Sequence, residues 1–343
     1  MARVFTAEAA DSVDGRPARP RGSAERLRRA FGGWGGEDRW RRGWVLAAVA
    51  LALGLALALH AEVPNAVGNL GSLWETFLPW GGLLVPVLLV CAVVRRSVPA
   101  LVALLVPTLV WMDLFGGLVS DRGGPRGDFT VVTHNVNAEN ADPVGTAHQL
   151  VGSRADVIAL EEVTSGRVGV YARELAEAYP YHEVQGTVGV WSRYPLKDSA
   201  HVDIGLGWKR ALRTTVATPQ GDVAVYAAHL PSVRVQFRSG FTAGQRDDSA
   251  ELLGRSIDAD PVRRVVLLGD LNGTMNDRAL APVTAQLRST QGASGDGMGF
   301  SWPASFPMAR IDQIMVRGMD PTSSWTMDAT GSDHLPVAAS MDL

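Results

Sequence analysis

The chain has 343 residues, with 32 Lys and Arg against 35 Asp and Glu, and a single cysteine, Cys91. One cysteine excludes an intramolecular disulfide framework, and the length leaves room for one large domain plus a smaller one. Residues 120–343 hold 20 Lys and Arg against 26 Asp and Glu. This acidic balance disfavours a nucleic-acid-binding protein, because such proteins usually present a basic surface. A locally basic groove is still compatible with this composition.

The N-terminal third is predicted to be a tail followed by a membrane anchor. Residues 1–43 are rich in Arg, Ala, Gly and Pro without a periodic apolar face, which predicts a largely disordered tail. Three apolar runs follow: Trp44–Leu59, Phe77–Val94 and Val98–Leu118. Their lengths approach what a bilayer-crossing helix needs, so we expect a three-helix transmembrane anchor over residues 44–119. The alternatives are buried core helices or, for the first run, the apolar part of a signal peptide.

The distribution of arginine predicts the orientation of this anchor. Five arginines flank the runs on one predicted side: Arg39, Arg41, Arg42, Arg95 and Arg96. The break His60–Thr76 contains no Lys or Arg. The positive-inside rule then puts the N-terminus in the cytoplasm and everything after Leu118 outside. The alternative is that Arg122 and Arg126 hold the second half in the cytoplasm.

Residues 120–127 form a predicted linker, and residues 128–343 a domain in which strands alternate with helices. Helices are predicted at Pro143–Ser153, Arg167–Ala178, Gln245–Ile257 and Asp277–Leu287. Strands are predicted at Phe129–Thr133, Val157–Leu160, Val188–Ser192, Arg213–Ala217, Val223–Ala228, Val265–Leu268 and Ile311–Val316. Periodicity alone indicates an α/β or α+β fold.

Polar segments follow or interrupt the apolar strands of this domain. They are His134-Asn135-Val136-Asn137, Glu161-Glu162, His229-Leu230-Pro231, Gly269-Asp270-Leu271-Asn272, Arg310-Ile311-Asp312 and Ser332-Asp333-His334. Side chains placed where buried strands end would converge on one rim of a sheet. Hard oxygen ligands together with two histidines suit Mg²⁺-assisted attack of water on a phosphate ester.

These six segments, in this order between about Asp128 and Leu343, resemble the endonuclease/exonuclease/phosphatase superfamily. Its members include pancreatic-type deoxyribonucleases, abasic-site endonucleases, inositol-polyphosphate 5-phosphatases and bacterial sphingomyelinases. The resemblance implies a four-layer α/β sandwich of two packed β-sheets flanked by helices, here preceded by the three transmembrane helices. The first third of the chain has no counterpart in the soluble members.

The resemblance also implies a metal site with Mg²⁺ as the expected ion and Mn²⁺ as an alternative. Its ligands would be Asn135, Glu162 and Asp333. Where this chain has Glu161-Glu162 the family has Gln-Glu, so Glu161 either adds charge near the ion or faces solvent. Asn137 is a weaker candidate, and His134 is expected to have a core or supporting role.

Five further residues match catalytic positions of the family: His229, Asp270, Asn272, Asp312 and His334. His229 would contact the scissile phosphate as an imidazolium, while Asp270 and Asn272 would act on the nucleophilic water and a phosphate oxygen. Asp312 would orient His334, whose other ring nitrogen could take a proton from water.

Three residues stay open between a structural and a functional role. Arg193 either packs or approaches the phosphate, and Trp302 could face the leaving group. Arg246 follows the segment Val233–Gly244, which has an unusual composition and could form a substrate lid.

The favoured function is a membrane-anchored, metal-dependent phosphohydrolase. It would act outside the membrane on a phosphorylated lipid or a lipid-linked cell-wall intermediate, like the actinobacterial membrane-anchored branch associated with teicoplanin resistance. The alternative is an extracellular metal-dependent nuclease with a basic groove. An inactive binding domain is disfavoured because every catalytic position of the family is filled. The sequence leaves open the substrate, monoester against diester or pyrophosphate cleavage, the number of metals and the oligomeric state.

Overall fold

The N-terminal helices and the domain that follows them pack against each other in a computed structural model that describes residues 40–65, 70–232 and 243–343. The predicted tail and most of the segment Val233–Gly244 lie outside the described residues. The apolar part contains the helices α1 (Trp44–Ala58), α2 (Leu70–Phe77), α3 (Leu84–Arg95), α4 (Val98–Ala103) and α5 (Leu105–Phe115). Short 3₁₀ turns at His60–Glu62, Leu78–Leu83 and Gly116–Leu118 link or end them.

Two helical segments of the described chain are long and apolar enough to cross a membrane. The first is Leu70–Arg95, 26 residues long, which runs from α2 through a 3₁₀ turn to α3. The second is Val98–Leu118, 21 residues long. These two segments make membrane anchoring a reasonable interpretation of the N-terminal part.

The prediction of three transmembrane helices is corrected to two candidates. The first apolar run forms α1, which has only 15 residues. At 1.5 Å per residue such a helix reaches about 22 Å, short of the ~30 Å hydrocarbon core. It stops because the chain turns at His60–Glu62, where two polar side chains follow the last Leu.

Within the residues that the structure describes, the second part contains twelve strands and five helices. The strands are β1 (Phe129–Asn135), β2 (Val157–Glu161), β3 (Tyr181–Gln185), β4 (Val188–Ser192), β5 (Leu196–His201), β6 (Ala211–Thr218), β7 (Gly221–Ala228), β8 (Val265–Asp270), β9 (Arg288–Ser289), β10 (Asp312–Arg317), β11 (Asp320–Thr326) and β12 (Val337–Asp342). The helices in the described residues are α6 (Pro143–Gly152), α7 (Ser165–Leu175), α8 (Ala243–Asp258), α9 (Ala281–Thr284) and α10 (Thr290–Ser294), with a 3₁₀ turn at Arg278–Leu280.

The strands form two mixed six-stranded sheets. The first has the order β11-β12-β1-β2-β4-β3 and the second the order β5-β6-β7-β8-β10-β9. In each sheet one central pair is parallel, β1 with β2 and β7 with β8, and the other neighbours are antiparallel. Parallel pairs need a crossover, which α6 provides in the first sheet and α8 in the second.

The sheets pack face to face with helices on the outside. Val131, Val157, Val225 and Leu268 are fully buried between the sheets. The outer face of the first sheet is covered by α6 and α7, and that of the second by α8. Each buried Val or Leu contributes about 1.5–3 kcal/mol to this packing. The arrangement confirms the predicted two packed sheets flanked by helices.

Strand direction brings the polar segments to one edge. The carboxyl ends of the parallel strands β1, β2, β7 and β8 lie on the same side, and polar residues follow each of them. The strands β10 and β12 run antiparallel to β8 and β1, so they begin at this edge. Asp312 and the turn that contains His334 are placed there for this reason.

Candidate active site

Asp312 and His334 form a buried pair at the centre of the edge. Asp312 lies opposite Asp270 in the register of β10 and β8. Its Oδ2 atom lies 2.9 Å from Nδ1 of His334 and accepts a 2.5 Å hydrogen bond from Ser301. Burial acts to lower the pKa of His334, but the charge and hydrogen bond of Asp312, together with the charges of Asp270 and Asp333, outweigh burial and raise the pKa to about 10. The imidazole is therefore charged at neutral pH and fixed in one orientation.

Asp270 ends β8 and is 2% exposed. It accepts hydrogen bonds from the side chain of Asn135 at 3.0 Å and from the backbone of Asn272 at 2.9 Å. Its Oδ2 lies 3.9 Å from Nε2 of His334. Burial, reinforced by the charge of Asp312, raises the pKa of Asp270 to about 7. This carboxyl can therefore exchange a proton near neutral pH.

A glycine allows Asp270 to sit so close to the neighbouring strand. Gly269 has φ +149°, and a Cβ built on it would overlap the carbonyl oxygen of Ala228 on β7. A side chain at this position would push β7 and β8 apart. The glycine of the Gly-Asp-Leu-Asn segment is thus required by the close approach of the two strands.

Glu162 and Asn135 lie where the parallel strands β2 and β1 end. Glu162 has a left-handed backbone, φ +59°, and its side chain is one-third exposed toward the cleft. Asn135 donates to Oε1 of Glu162 at 3.2 Å and to Asp270 at 3.0 Å, and its own oxygen accepts from the backbone N–H of Asn137. Asn135 thus bridges two carboxylates, a positioning role added to its proposed role as a ligand.

Glu161 does not face solvent. It is fully buried and accepts a 2.9 Å hydrogen bond from Thr133. Burial, then repulsion from Asp312, raises the pKa of Glu161 well above its ordinary value. Burial therefore favours the protonated carboxyl, which resembles an amide in shape.

His229 follows β7 and lies among the acids. Its Nε2 is 3.6 Å from Asp270 and 3.9 Å from Glu162, and its Nδ1 has no hydrogen-bond partner among the described residues. Burial, together with the positive charges of Arg210 and His334, lowers the pKa of His229 well below 6.5. The folded environment therefore favours a neutral imidazole rather than the predicted imidazolium, since desolvation disfavours the charged form.

Asn272 and Asp333 border the same cleft. Asn272 has φ +47°, and its side chain donates to the carbonyl oxygen of Leu230 at 3.0 Å. Asp333 is exposed and accepts a 2.9 Å hydrogen bond from the side chain of Asn137. Ser332 ties this turn to β1 by donating to the carbonyl oxygen of Asn135 at 2.6 Å. The turn that carries His334 is thus held against the strand that carries Asn135.

A cleft of about 750 Å³ lies above these groups. Its lining combines the polar rim with residues of the N-terminal helix α2. The lining includes Leu73, Thr76 and Phe77 of α2 together with Glu162, Arg210 and His229. Asn135, Asp270, Asn272, Trp302, Asp333 and His334 also line it.

Sequence reasoning missed Arg210 and Trp208. Both line the cleft, and the guanidinium carbon of Arg210 lies 4.8 Å from the centre of the Trp208 ring. Arg210 is attracted by Asp270 and Glu162. Trp208 and Arg210 belong to the loop before β6. The sequence feature that could have indicated them is the segment Trp-Lys-Arg at the end of this loop.

The three open residues separate clearly. Arg193 follows β4 at the opposite end of the sheet, where its guanidinium lies over Tyr179, so it packs rather than approaches a phosphate. Trp302 lines the cleft. Arg246 is fully buried and pairs with Asp277 at 2.7 Å.

The donor set fits a hard divalent cation. Asp270 and Asp312 offer carboxylate oxygens within 4.8 Å of one another, and Glu162 lies beside them with one-third of its side chain exposed. The domain contains no cysteine, so its anionic donors are oxygens. Glu162, Asn135 and Asp333 remain the proposed ligands, and a cation bound there would polarise a phosphate oxygen and neutralise developing charge.

Two packed mixed sheets with acids, an amide and histidines on one rim form a phosphoesterase-type fold. Residues 132–334 match the sequence model of the Endonuclease/Exonuclease/phosphatase family, more than half of the chain, and the protein belongs to this family. Members of the family are metal-dependent phosphoester hydrolases. Among curated proteins no significant match is found.

Solved structures share the fold at low sequence identity. An endonuclease/exonuclease/phosphatase from Beutenbergia cavernae is 21% identical, covers 64% of this chain and 72% of its own, and gives a TM-score of 0.52. The beta toxin of Staphylococcus aureus is 15% identical over 62% of this chain and 99% of its own, with a TM-score of 0.52. A mannosyl-6-phosphatase from Bacteroides thetaiotaomicron is 14% identical over 62% and 99%, with a TM-score of 0.50. At these identities the likeness establishes the fold alone.

Proposed function

We propose that the protein is a membrane-anchored, Mg²⁺-dependent phosphohydrolase. It would cleave a phosphate ester or pyrophosphate of a lipid or lipid-linked cell-wall intermediate outside the cytoplasmic membrane. The observation that carries the hydrolase part is the cluster of Asp270, Asp312 and His334 beside Glu162 in one cleft. Such a cluster combines a base, a fixed imidazolium and oxygen donors for a cation.

We propose the following division of roles. Asp270, with a pKa of about 7, accepts the proton of the attacking water, because a base works best near the ambient pH. His334, whose pKa is raised by the Asp312 carboxylate 2.9 Å away, stabilises negative charge on the phosphate as an imidazolium. His229, which is neutral, donates an N–H to a phosphate oxygen. Asn272 completes the contacts to the water and phosphate.

Membrane attachment is supported by the two candidate spans. Leu70–Arg95 and Val98–Leu118 would form a hairpin whose turn holds Arg95 and Arg96. The helix α2 contacts the catalytic domain, so both lie on the side opposite this turn if the hairpin crosses the membrane. Arg95 and Arg96 in the turn favour the cytoplasm, which favours an external site. With two spans in place of three, the N-terminus lies on the same side as the enzyme, so Arg39, Arg41 and Arg42 oppose this orientation and the proposal rests on the turn. The proposed domain boundaries are residues 44–119 for the anchor and 128–343 for the enzyme.

A lipid substrate is supported by the tether and by charge. A tether close to the bilayer raises the effective concentration of a membrane-bound substrate. The acidic balance of residues 120–343 disfavours nucleic acid. Kinship with the membrane-anchored branch associated with teicoplanin resistance is part of the same proposal.

The test is a substrate panel with the full chain. Prenyl diphosphate, phospholipids, inositol phosphates and DNA are each incubated with the purified protein and Mg²⁺. We expect turnover of a lipid phosphate or diphosphate. Cleavage of DNA with no turnover of any lipid would replace the proposal by a nuclease.

A further inference from the structure

The membrane-proximal helix α2 contributes directly to the catalytic cleft. Leu73, Thr76 and Phe77 line the same cavity as Glu162 and Asp270. Leu73 is 38% exposed although it is a large apolar side chain. The cleft therefore has a polar floor of catalytic groups and a partly apolar wall that comes from outside the catalytic domain.

Buried polar contacts fix this wall in place. Arg246, fully buried, donates to the hydroxyl of Ser72 at 3.0 Å and to the carbonyl oxygen of Asn272 at 2.8 Å. Thr274 donates to the carbonyl oxygen of Glu75 at 3.2 Å. Hydrogen bonds to a buried guanidinium are strong and directional. One arginine thus joins α2 to the loop that carries Asn272, so the helix is held against the catalytic rim by hydrogen bonds.

The cleft adjoins two further cavities near the candidate spans. Thr76 also lines a neighbouring cavity of about 340 Å³, which shares Pro79 and Phe300 with a third cavity of about 500 Å³. The third cavity is lined mainly by apolar side chains of the two candidate spans, including Trp80 and Trp111. A chain that leaves the phosphate along α2 would pass the mixed lining of the second cavity, which includes Asp113 and Arg122, before it reaches the apolar third cavity.

We infer that the wall formed by α2 determines substrate specificity. Its residues Leu73 and Phe77 bind a hydrocarbon chain attached to the phosphate group that is hydrolysed at the catalytic rim. This inference rests on the proposed phosphohydrolase function and names the substrate class as a phosphate joined to an aliphatic chain. A phosphate on a sugar or nucleoside would place hydroxyl groups against Leu73 and Phe77, where they lose their hydrogen bonds to water.

The test measures binding separately from catalysis. Octylphosphonate and ethylphosphonate resist hydrolysis, carry the same headgroup and differ only in the chain. Their affinities for the full chain in amphipol with Mg²⁺ are measured by calorimetry for the wild type, Leu73→Ala and Phe77→Ala. Leu70→Ala is the matched control, because Leu70 lies on the same helix, is half-exposed and is outside the set of described residues that line the cleft.

We expect octylphosphonate to bind the wild type at least about tenfold more tightly than ethylphosphonate. Leu73→Ala and Phe77→Ala should each weaken octylphosphonate by about five- to tenfold, the effect of losing one or two buried methylene contacts. Ethylphosphonate should stay within about twofold, and Leu70→Ala should change neither. Equal affinity for the two ligands, or an unchanged ratio in both variants, would overturn the inference.

Hydrolysis of octyl phosphate and ethyl phosphate separates the two claims. If the chain-dependent binding is found but neither ester is hydrolysed, the wall stands and the proposed reaction fails. If both esters are hydrolysed with equal kcat/KM and the phosphonates bind equally, the reaction stands and the wall is wrong.

Discussion

Replacing Asp312 by Asn tests whether the charge of this residue sets the state of His334. The carboxylate lies 2.9 Å from Nδ1 of His334, and both side chains are buried. The rise in the pKa of His334 from 6.5 to about 10 corresponds to about 5 kcal/mol of preference for the imidazolium. Asp312 is the largest favourable contributor to this preference, since the charges of Asp270 and Asp333 rank below it.

The substitution keeps the shape of the side chain and removes its charge. Burial then acts on His334 with less opposition, so its pKa should fall below about 7. If the imidazolium stabilises charge in the transition state, kcat should drop by about 10²–10³-fold, within the ~5 kcal/mol available.

Two measurements on the full chain decide the matter. The pKa of His334 is followed by NMR of the labelled ring, and kcat is measured at saturating Mg²⁺. Asp320→Asn, an exposed carboxylate of β11, is the control and should change neither quantity. A pKa of His334 still near 10, or a kcat within tenfold of the wild type, would refute the reasoning.

Three further predictions concern the metal, the fold and the membrane. Glu162→Gln should raise the Mg²⁺ concentration needed for half-maximal activity more than Glu161→Gln does, because Glu162 faces the cleft and Glu161 is buried. The opposite order in a Mg²⁺ titration would mean that Glu161, not Glu162, binds the metal. Full activity after chelation would refute the metal requirement itself. Burial acts to raise the pKa of Asp260, but hydrogen bonds from Arg213 and Tyr226 outweigh burial and lower this pKa. The carboxylate therefore stabilises the fold at pH values above its unfolded pKa near 3.8, and this stabilisation is lost as the pH falls through its folded pKa. Asp260→Asn should therefore lower the free energy of unfolding, measured by thermal melts, by about 2 kcal/mol at pH 7 and by less at pH 3. The control Asp222→Asn changes an exposed carboxylate and should have little effect at either pH. A loss that is the same at both pH values would contradict the link between the charge of Asp260 and stability. Alkaline phosphatase fused after Leu118 should be active and green fluorescent protein at the same point dark; the reverse pair would put the site in the cytoplasm.

The apolar strands and the site segments that follow them were readable from the sequence because both are local. Runs such as Val265–Leu268 consist of valine and leucine and are buried on both faces, and the polar residues after them have to lie at the sheet edge. The strands that the sequence did not indicate carry other patterns. β3 and β5 are edge strands rich in polar residues, and β12 is built largely from small residues.

The contacts that complete the site could not be predicted because their partners are far apart in the chain. Ser72 and Arg246 are 174 residues apart, and the sequence around Ser72 does not indicate that it contacts a buried guanidinium. The neutral state of His229 depends on burial by several strands and on Arg210, which belongs to another loop. Charge states of this kind follow from the folded environment rather than from residue type.

The most direct test of the central claim is Mg²⁺-dependent phosphate release from prenyl diphosphate by the full chain, compared with Asp270→Ala and His334→Ala. The proposed roles predict that each variant folds like the wild type and loses about 10²–10⁴-fold of its turnover. Phosphate release above about a tenth of the wild-type rate in either folded variant would contradict the assignment of the site.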